Sequence, residues 1–470
     1  MAAMTGSHLS NSDAFTWYME DDPLLRSTIV AVAFLDRAPD FEALVGRLDR
    51  ASRLAPGFRQ KVVVPPLRAA TPRWVTDPDV DLGFHVRRMV VPPPGDVTSV
   101  LERARTLGMA GFDKARPLWE AILIEGLEDG RAAFVLKVHH ALTDGVGGMQ
   151  LALFLYDLER DAEAPADVGP EPPPTEPTGD LDLLREALGH QVDEVLAFAK
   201  SHAVSAVPAL VHAALHPRTT VTGLMRTLAS VGRTVEPVSE TLSPVMTERA
   251  LSWRYQALDV PIEALKAAAH EAGGTLNDGF LAGLTGGLRR YHEHHRMPVD
   301  ELRLTMPISL RTDAHGVGGN HITIMRFKVP IGIADPSERI RALHELAQSI
   351  RNEPSLAHTD AIAGGLNLLP KGYVGGMLKH VDVLASNVPG FRAPLYLCGS
   401  EVERLYAFGP TIGSAANLTL LSYRSTACVG VTTDAAAVPD GDVFLACMAD
   451  GYDEVLDLAG AHPQIRTVAS

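Results

Sequence analysis

The stretch Val138-His139-His140-Ala141-Leu142-Thr143-Asp144-Gly145 ends an apolar run typical of a β-strand and leads through a glycine-rich turn into a helix. Adjacent side chains on a strand point to opposite faces of the sheet, so His139 and His140 are expected to face different environments. One imidazole can therefore face a cleft while the other packs inside the protein. The pattern does not say which histidine takes which place.

These residue types suit proton transfer. A neutral imidazole beside a substrate can take a proton from a hydroxyl or a thiol, because the free side chain titrates close to neutral pH. Asp144, which lies past the turn, could orient an imidazole directly, or it could pair with a cation and hold the loop. The spacing leaves both roles open.

Other interpretations of the motif are weaker. Two histidines at a strand end are also common as surface or core residues. A metal site is disfavoured because strand alternation separates the histidines and no third ligand is evident. The segment Gly145-Val146-Gly147-Gly148 lacks the lysine of a P-loop and the glycine spacing of a dinucleotide site. A further cluster, His292-Glu293-His294-His295, is expected to be a solvated helix end rather than a metal site.

A predicted hairpin places a second segment beside the histidines. The runs 118–125 and 131–138 are rich in β-forming residues, and a glycine-bounded turn separates them. Pairing across this turn puts His139 opposite Leu118. Pro117-Leu118-Trp119 should therefore lie next to both histidines.

Composition favours a globular protein with two domains. The chain has 470 residues, more than one hydrophobic core usually serves, and 46% of them are hydrophobic. The net charge of −15 disfavours nucleic acid and an anionic membrane surface as electrostatic partners. The three cysteines have neither paired nor metal-like spacing, which fits a reducing cytosol.

No segment has the pattern of a signal peptide or of a membrane span. The N-terminus lacks a basic flank followed by an apolar run, and no window of 18 residues is uninterrupted by polar side chains. The nearest approach is residues 196–217, which fit a buried or interfacial helix pair better than a span. A role at a membrane surface is the minor alternative.

The order of predicted elements indicates an α/β (α+β) fold. Each half of the chain mixes strands and helices, which predicts a sheet with flanking helices in each domain. A polar, proline-rich connector begins near residue 161. We therefore predict a first domain at 1–160, a connector with a helical segment at 161–245, and a second domain at 246–470.

Polar residues in the second half are candidates for the same site. Thr275 and Asp278 have the spacing of a capping box, so Asp278 is expected either to satisfy a helix start or to act in the site. Asn277, at the same helix start, could donate a hydrogen bond to a developing oxyanion. Ser386 and Asn387, at the end of a predicted strand, could face the same channel.

The histidine motif resembles the His-His-x-x-x-Asp-Gly signature of the CoA-dependent acyltransferase superfamily. Three segments resemble motifs of the bacterial wax ester synthase/diacylglycerol acyltransferase family, namely Pro117-Leu118-Trp119-Glu120, Leu276-Asn277-Asp278 and Ser386-Asn387-Val388-Pro389-Gly390. Weaker agreement at 9–13, 306–311 and 319–320 extends the resemblance over nearly the whole chain.

The resemblance implies two domains, each with a mixed sheet flanked by helices, that meet around an active-site channel. It implies that His140 is the general base that deprotonates the acceptor hydroxyl. The hydroxyl then attacks the thioester of a long-chain acyl-CoA and releases CoA, without a covalent acyl-enzyme. His139 and Asp144 would be structural, with Arg59 as the cation partner of Asp144. The residues expected to border the channel are Gly145, Pro117, Leu118, Trp119, Ser386 and Asn387, although packing that holds the histidine strand is the favoured role for Leu118 and Trp119.

The implied reaction needs no cofactor and no metal, because acyl-CoA is a co-substrate. The acceptor would be diacylglycerol or a fatty alcohol, giving triacylglycerol or wax ester for lipid storage. A cytoplasmic enzyme is expected, with peripheral contact at a membrane or lipid droplet as an option. Two alternatives stay open: a condensation-type or small-alcohol acyltransferase of the same superfamily, and a non-catalytic lipid-binding protein with this fold.

Overall fold

The computed structural model of the chain describes most of both halves. The described residues are 8–142, 145–163, 182–187, 240–309, 322–351, 359–367, 378–460 and 465–468, together with 167, 169–171, 179, 189, 238, 353 and 375–376. The side chains of 145–147, 149–150, 308–309, 322–324 and 359–361 are outside this description. Asp144 of the histidine motif and most of the predicted connector lie outside the described residues.

Helices and strands alternate along the described chain. The helices are α1 (Asn11–Met19), α2 (Phe41–Leu54), α3 (Leu82–His85), α4 (Val97–Met109), α5 (Gly145–Leu155), α6 (Ile262–Glu271), α7 (Leu276–His294), α8 (Pro336–Arg351), α9 (Thr359–Asn367) and α10 (Gly441–Leu456). The strands are β1 (Thr28–Leu35), β2 (Gln60–Val63), β3 (Arg73–Thr76), β4 (Val86–Val90), β5 (Trp119–Glu125), β6 (Ala132–His139), β7 (Trp253–Pro261), β8 (Glu301–Ser309), β9 (Ile322–Pro330), β10 (Val383–Phe391), β11 (Tyr396–Leu397), β12 (Ser400–Phe408), β13 (Ala416–Tyr423), β14 (Thr426–Asp434) and β15 (Arg466–Val468).

The strands form two large mixed sheets, as the sequence predicted. The first sheet has the order β11-β12-β1-β6-β5-β4, and the second has the order β15-β7-β14-β13-β10-β8-β9. A separate two-stranded sheet pairs β2 with β3. Helices cover both large sheets, and α7 and α10 are buried in the core of the second. The α/β fold class is therefore confirmed.

The hairpin that carries the histidines has the predicted register. Trp119 pairs with Val138 across β5 and β6, and the backbone N–H of His139 donates to the carbonyl of Leu118 at 3.0 Å. The backbone N–H of His140 instead donates to the carbonyl of Ser27, 2.9 Å away, just before β1. The successive backbone N–H groups of the two histidines thus point to opposite neighbours of β6, towards β5 at His139 and towards the start of β1 at His140.

Two strands from the second half of the chain complete the first sheet. β12 pairs antiparallel with β1, and β11 pairs with β12. A division of the sequence at residue 245 assigns these strands to the second domain, whereas hydrogen bonding assigns them to the first sheet. Sheet membership thus departs from chain order, because strand pairing depends on long-range contacts that a local pattern does not contain.

β12 also joins the two sheets. The hydroxyl of Tyr406 and the Nε of Arg404 both donate to Asp259 on β7, at 2.6 and 2.7 Å. Burial and the charge of Asp259 raise the pKa of Tyr406, so the hydroxyl keeps its proton and stays a donor. Gly430 on β14 lies against the carbonyl of Ala407, where a Cβ atom would collide. This glycine lets the backbones of the two sheets approach closely.

One prediction about the second half was wrong. His292 was expected on a solvated helix end, but its side chain is completely buried on the inner face of α7. Its Nδ1 hydrogen bonds the carbonyl of Leu288, and its Nε2 hydrogen bonds the hydroxyl of Ser243, both at 2.8 Å. Burial lowers the pKa of His292 and keeps the ring neutral. Glu293 and His294 are exposed, because α7 turns its outer face to solvent at these positions.

Candidate active site

A largely apolar cavity of about 500 Å³ lies between the two sheets and α5. Alternate residues of three strands of the first sheet line it, because every second side chain of a strand faces the same side. From the first sheet these are Ile29 and Ala31 on β1, Phe134, Leu136 and Val138 on β6, and Leu405 and Ala407 on β12. α5 contributes Gly148, Leu151, Ala152 and Leu155, and β13 contributes Asn417, Thr419 and Leu421.

His140 lies on the wall of this cavity and continues the series of alternate β6 residues. Its side chain is half-buried. His139 is completely buried on the opposite face of the sheet, with its ring 5.7 Å from that of Trp17 and 5.9 Å from that of Phe112. The predicted separation of the two histidines is therefore confirmed, and His140 is the one that reaches the cavity.

His139 is held by hydrogen bonding and by a buried carboxylate. Its Nδ1 accepts the backbone N–H of Ala141 at 3.0 Å, which leaves Nε2 as the donor nitrogen of the ring. Nε2 lies 3.2 Å from Oε1 of Glu20. Burial raises the pKa of Glu20, but the contact with His139, the N–H of Ser27 and the charge of Lys114 outweigh burial and lower it. Glu20 is therefore a carboxylate.

Two predicted polar residues form the opposite wall. Ser386 and Asn387 on β10 both line the cavity. The Nδ2 of Asn387 donates to Oδ1 of Asn277 at 3.3 Å, which brings the start of α7 to the same site. Both asparagines are half-buried. Residues that are 110 positions apart in sequence thus meet across the cavity from β6.

Asp278 has a structural role at the start of α7. Its Oδ2 accepts the backbone N–H and the hydroxyl of Thr275, each at 2.8 Å, which completes the predicted capping box. The same oxygen hydrogen bonds Nδ1 of His344 at 2.8 Å. Asp278 is buried and does not line the cavity. Of its two predicted roles, the structure supports the capping role.

Pro117, Leu118 and Trp119 pack behind the histidine strand and do not line the cavity. The indole of Trp119 donates to the carbonyl of Phe58 at 2.8 Å and stacks on His85, with ring centroids 4.6 Å apart. Leu118 belongs to the cluster that contains Trp17. The proximity of this segment to the histidines is confirmed, whereas its predicted position on the channel is not observed.

The predicted partner of Asp144 engages another carboxylate. Arg59 pairs with Asp49, and its Nε donates to the hydroxyl of Ser52 at 2.9 Å. Asp144 lies outside the described residues, so its pairing with Arg59 and its role in the loop stay predictions. Gly145 is the first residue of α5, and Gly148, one turn later, lines the cavity.

Sequence reasoning missed a polar group on the cavity wall and the carboxylate of Glu20. Asn417 donates to the carbonyl of Pro410 at 2.6 Å and accepts the hydroxyl of Thr419 at 3.1 Å. The signal for this group was present, since Asn417 and Thr419 alternate with leucines in a buried strand. No local pattern marks Glu20, because its contacts depend on the fold.

Within the described ranges, no three His, Cys, Asp or Glu side chains come together as a metal-binding group. In the same part of the chain, no helix is both long enough and apolar enough to cross a membrane.

Comparison with protein families identifies both halves of the chain. Residues 9–280 match the family model described as the wax ester synthase/diacylglycerol acyltransferase catalytic domain. Residues 318–455 match the WS/DGAT C-terminal domain. The first match includes the histidine motif and the start of α7, and the second includes Ser386, Asn387 and Asn417.

Two proteins of Mycobacterium tuberculosis H37Rv, both named putative diacylglycerol O-acyltransferases, are similar to this chain. One is 39% identical over 444 residues, which cover 94% of this chain and 90% of that protein. The other is 31% identical over 474 residues, covering 95% and 89%. The similarity extends across both family domains.

Solved structures share the fold at low sequence identity. A wax ester synthase/diacylglycerol acyltransferase from Marinobacter aquaeolei VT8 superposes with a TM-score of 0.63 at 21% identity, covering 97% of this chain and all of that one. The first condensation domain of the calcium-dependent antibiotic synthetase superposes with a TM-score of 0.60 at 15% identity, covering 99% of this chain and all of that one. Because the family models and the Mycobacterium relatives cover both halves, the chain belongs to the wax ester synthase/diacylglycerol acyltransferase family.

Proposed function

We propose that this protein is an acyl-CoA-dependent O-acyltransferase that makes triacylglycerol or wax esters. The observation that carries the proposal is the position of His140 on the wall of an apolar cavity between the two sheets. A cavity of this size and polarity is typical of sites that bind apolar ligands. Membership of the family supports the same activity.

The reaction follows from one general base. His140 takes the proton of the acceptor hydroxyl as its oxygen attacks the carbonyl carbon of the thioester. The C–O bond forms, the C–S bond breaks, and the thiol of CoA leaves with the proton that His140 returns. The amide of Asn387 lies on the opposite wall in contact with Asn277, and its N–H group could stabilise the oxyanion that develops on the carbonyl.

The substrates are inferred from the lining of the cavity. Leucine, valine and phenylalanine side chains suit a long acyl chain, and the same surface suits diacylglycerol or a fatty alcohol as acceptor. Acyl-CoA supplies both the acyl group and the leaving group, so the reaction requires no cofactor. Because lipid substrates partition into membranes and lipid droplets, we propose a cytoplasmic enzyme that contacts such a surface peripherally.

The test is release of free CoA thiol from acyl-CoA with a panel of acceptors. The panel is a diacylglycerol, a long-chain alcohol and a short-chain alcohol. General base catalysis typically contributes about 10²- to 10⁴-fold, so His140→Ala should lower kcat by that factor. His294→Ala is the matched control, because His294 is exposed at the end of α7 and should leave kcat unchanged.

Three outcomes would contradict the proposal. If the wild type releases no thiol with any of these acceptors, the proposed activity is excluded. If it then binds an acyl chain without turnover, a lipid-binding protein is favoured. Full activity of a folded His140→Ala variant would remove the assigned base. Turnover with an acyl carrier protein as donor, but not with acyl-CoA, would indicate condensation-type chemistry instead.

A further inference from the structure

A buried carboxylate behind the histidine strand has no part in the reaction described so far. Glu20 follows the last residue of α1 and is 8% exposed. Burying a charged carboxylate is unfavourable unless other groups compensate its charge and its lone pairs. Its neighbours therefore show what this position accomplishes.

The contacts of Glu20 converge on the residues around His140. Its Oε1 accepts the backbone N–H of Ser27 at 3.3 Å and lies 3.2 Å from Nε2 of His139. Ser27 in turn accepts the backbone N–H of His140 through its carbonyl, and the other nitrogen of His139 accepts the N–H of Ala141. Oε1 of Glu20 is thus linked to the backbone of His140 through Ser27 and to that of Ala141 through His139.

The consequence is a set of restraints on three consecutive residues. The ring of His139 is held from behind, the N–H of His140 is held through Ser27, and the N–H of Ala141 is held through His139. A base must stay within hydrogen-bond reach of its substrate, and a misplacement of about 1 Å can lower a rate by about 10²-fold. Restraints on the backbone at this point therefore bear on catalysis.

We propose that Glu20 is a positioning residue, which acts through His139 and Ser27 to hold the backbone at His140 in its catalytic place. The inference rests on the proposed function, because it takes His140 as the base. Glu20 does not line the cavity in which we place the substrates.

Other charged groups lie near Glu20, and their contacts differ from those of Glu20. Lys114 is near enough to influence the carboxylate, and Lys137 lies on the same face of β6 as His139. Lys137 has its own partner, Glu120, at 2.8 Å. Glu120 is therefore a second partly buried carboxylate on the same sheet face, with Lys137 and Arg87 as its partners.

The experiment compares substitutions that keep or remove the acceptor oxygen. Glu20→Gln keeps an oxygen for Ser27 and His139, whereas Glu20→Met keeps the length and removes the acceptor. We expect Glu20→Met to lower kcat by about 10- to 100-fold, with KM for acyl-CoA within about threefold. Glu20→Gln should retain at least about a third of kcat, and the control Glu120→Gln should retain all of it. If Glu20→Met does not fold, Glu20→Asp, which withdraws the oxygens by one methylene, should show a smaller loss of kcat.

Two further measurements separate positioning from general stability. In a His139→Ala background, Glu20→Met should lower kcat by a smaller factor than in the wild type, because only the route through Ser27 remains. Hydrogen–deuterium exchange of the backbone N–H groups of His140 and Ala141 should be at least about tenfold faster in Glu20→Met than in the wild type or Glu120→Gln. This second readout does not require turnover.

Specific results would overturn the inference. Equal kcat in Glu20→Met and the wild type, a change confined to KM, or unchanged exchange at His140 and Ala141 would each do so. Additive effects of Glu20→Met and His139→Ala would exclude action through His139. A wild type that releases no thiol would contradict the proposed function alone, because the exchange measurement would still decide whether Glu20 holds this turn.

Discussion

His139 and His140 are identical side chains whose surroundings give them different chemistry. His139 has no solvent exposure, and its ring contacts Trp17, Phe112 and Glu20. His140 reaches a cavity where a hydroxyl group could approach its ring. The alternation of a strand therefore assigns a structural role to one imidazole and leaves the other available for proton transfer.

Asn387, which lines the opposite wall and contacts Asn277, leads to a prediction at the level of single residues. Asn387→Asp keeps the shape of the side chain and replaces its N–H donor by an acceptor. If this donor stabilises the oxyanion, kcat should fall by about 10²- to 10³-fold, the usual effect of removing one such donor. Steady-state kinetics with acyl-CoA and a fixed acceptor would measure the loss, and KM should change little.

The neighbouring residues supply the controls for this substitution. Asn277→Ala should lower kcat less than Asn387→Asp, because Asn277 acts through its contact with Asn387 and does not line the cavity. The double variant should be no worse than Asn387→Asp alone, since residues that act as a unit are not additive. Loss of substrate binding with unchanged kcat would argue against oxyanion stabilisation.

Single residues also show what a sequence pattern can and cannot reveal. Strand alternation and hairpin register predicted the separation of the histidines and their contact with Leu118. The predicted solvation of His292 was wrong, because the face of α7 that packs inward depends on Ser243, which is 49 positions away. Arg59 lies beside Asp49 and Ser52 for a similar reason, since the turn after α2 brings it back along that helix.

Among the secondary structure elements, α5 separates the cavity from the outside of the molecule. Gly148, Leu151, Ala152 and Leu155 face the cavity, whereas Leu153 is 62% exposed. Ala152→Phe would add a ring to the cavity wall and reduce its volume. We expect KM for long-chain acyl-CoA to rise by at least about tenfold while short-chain donors are still used, because overpacking excludes the larger ligand first. Leu153→Phe is the control on the outer face, and an equal effect of both substitutions would contradict this account.

The individual elements were largely predictable, and their long-range pairing was not. The predicted runs 118–125 and 131–138 match β5 and β6 to within about one residue at each end, since β-forming residues and a glycine-bounded turn mark them. The addition of β11 and β12 to the first sheet was not predicted, because no local signal distinguishes a strand that pairs with its neighbours from one that crosses over. The residues of the second wall could therefore be predicted from motifs, but their distance from β6 could not be predicted.

In the whole molecule, the cavity exists because the two sheets approach each other through β12. This strand pairs with β1 in the first sheet, and its residues Arg404 and Tyr406 bind Asp259 in the second. Leu405 and Ala407, between and after them, line the cavity. A change in the position of β12 between the two sheets should therefore alter both the stability of the protein and the shape of the active site.

Gly430 tests this link between assembly and activity. A methyl group at this position would collide with the carbonyl of Ala407, and neither backbone can move without breaking sheet pairing. Overpacking of this kind typically destabilises by about 1–3 kcal/mol, so Gly430→Ala should lower the denaturation midpoint and also lower kcat at temperatures where the protein remains folded. Gly46→Ala is the matched control, because Gly46 is exposed on α2 with open space around its Cβ position. Replacing a helical glycine by alanine should leave stability unchanged or raise it by up to about 1 kcal/mol. A Gly430→Ala variant as stable and as active as the Gly46→Ala variant would show that the close approach of β12 to the second sheet is not required for the site.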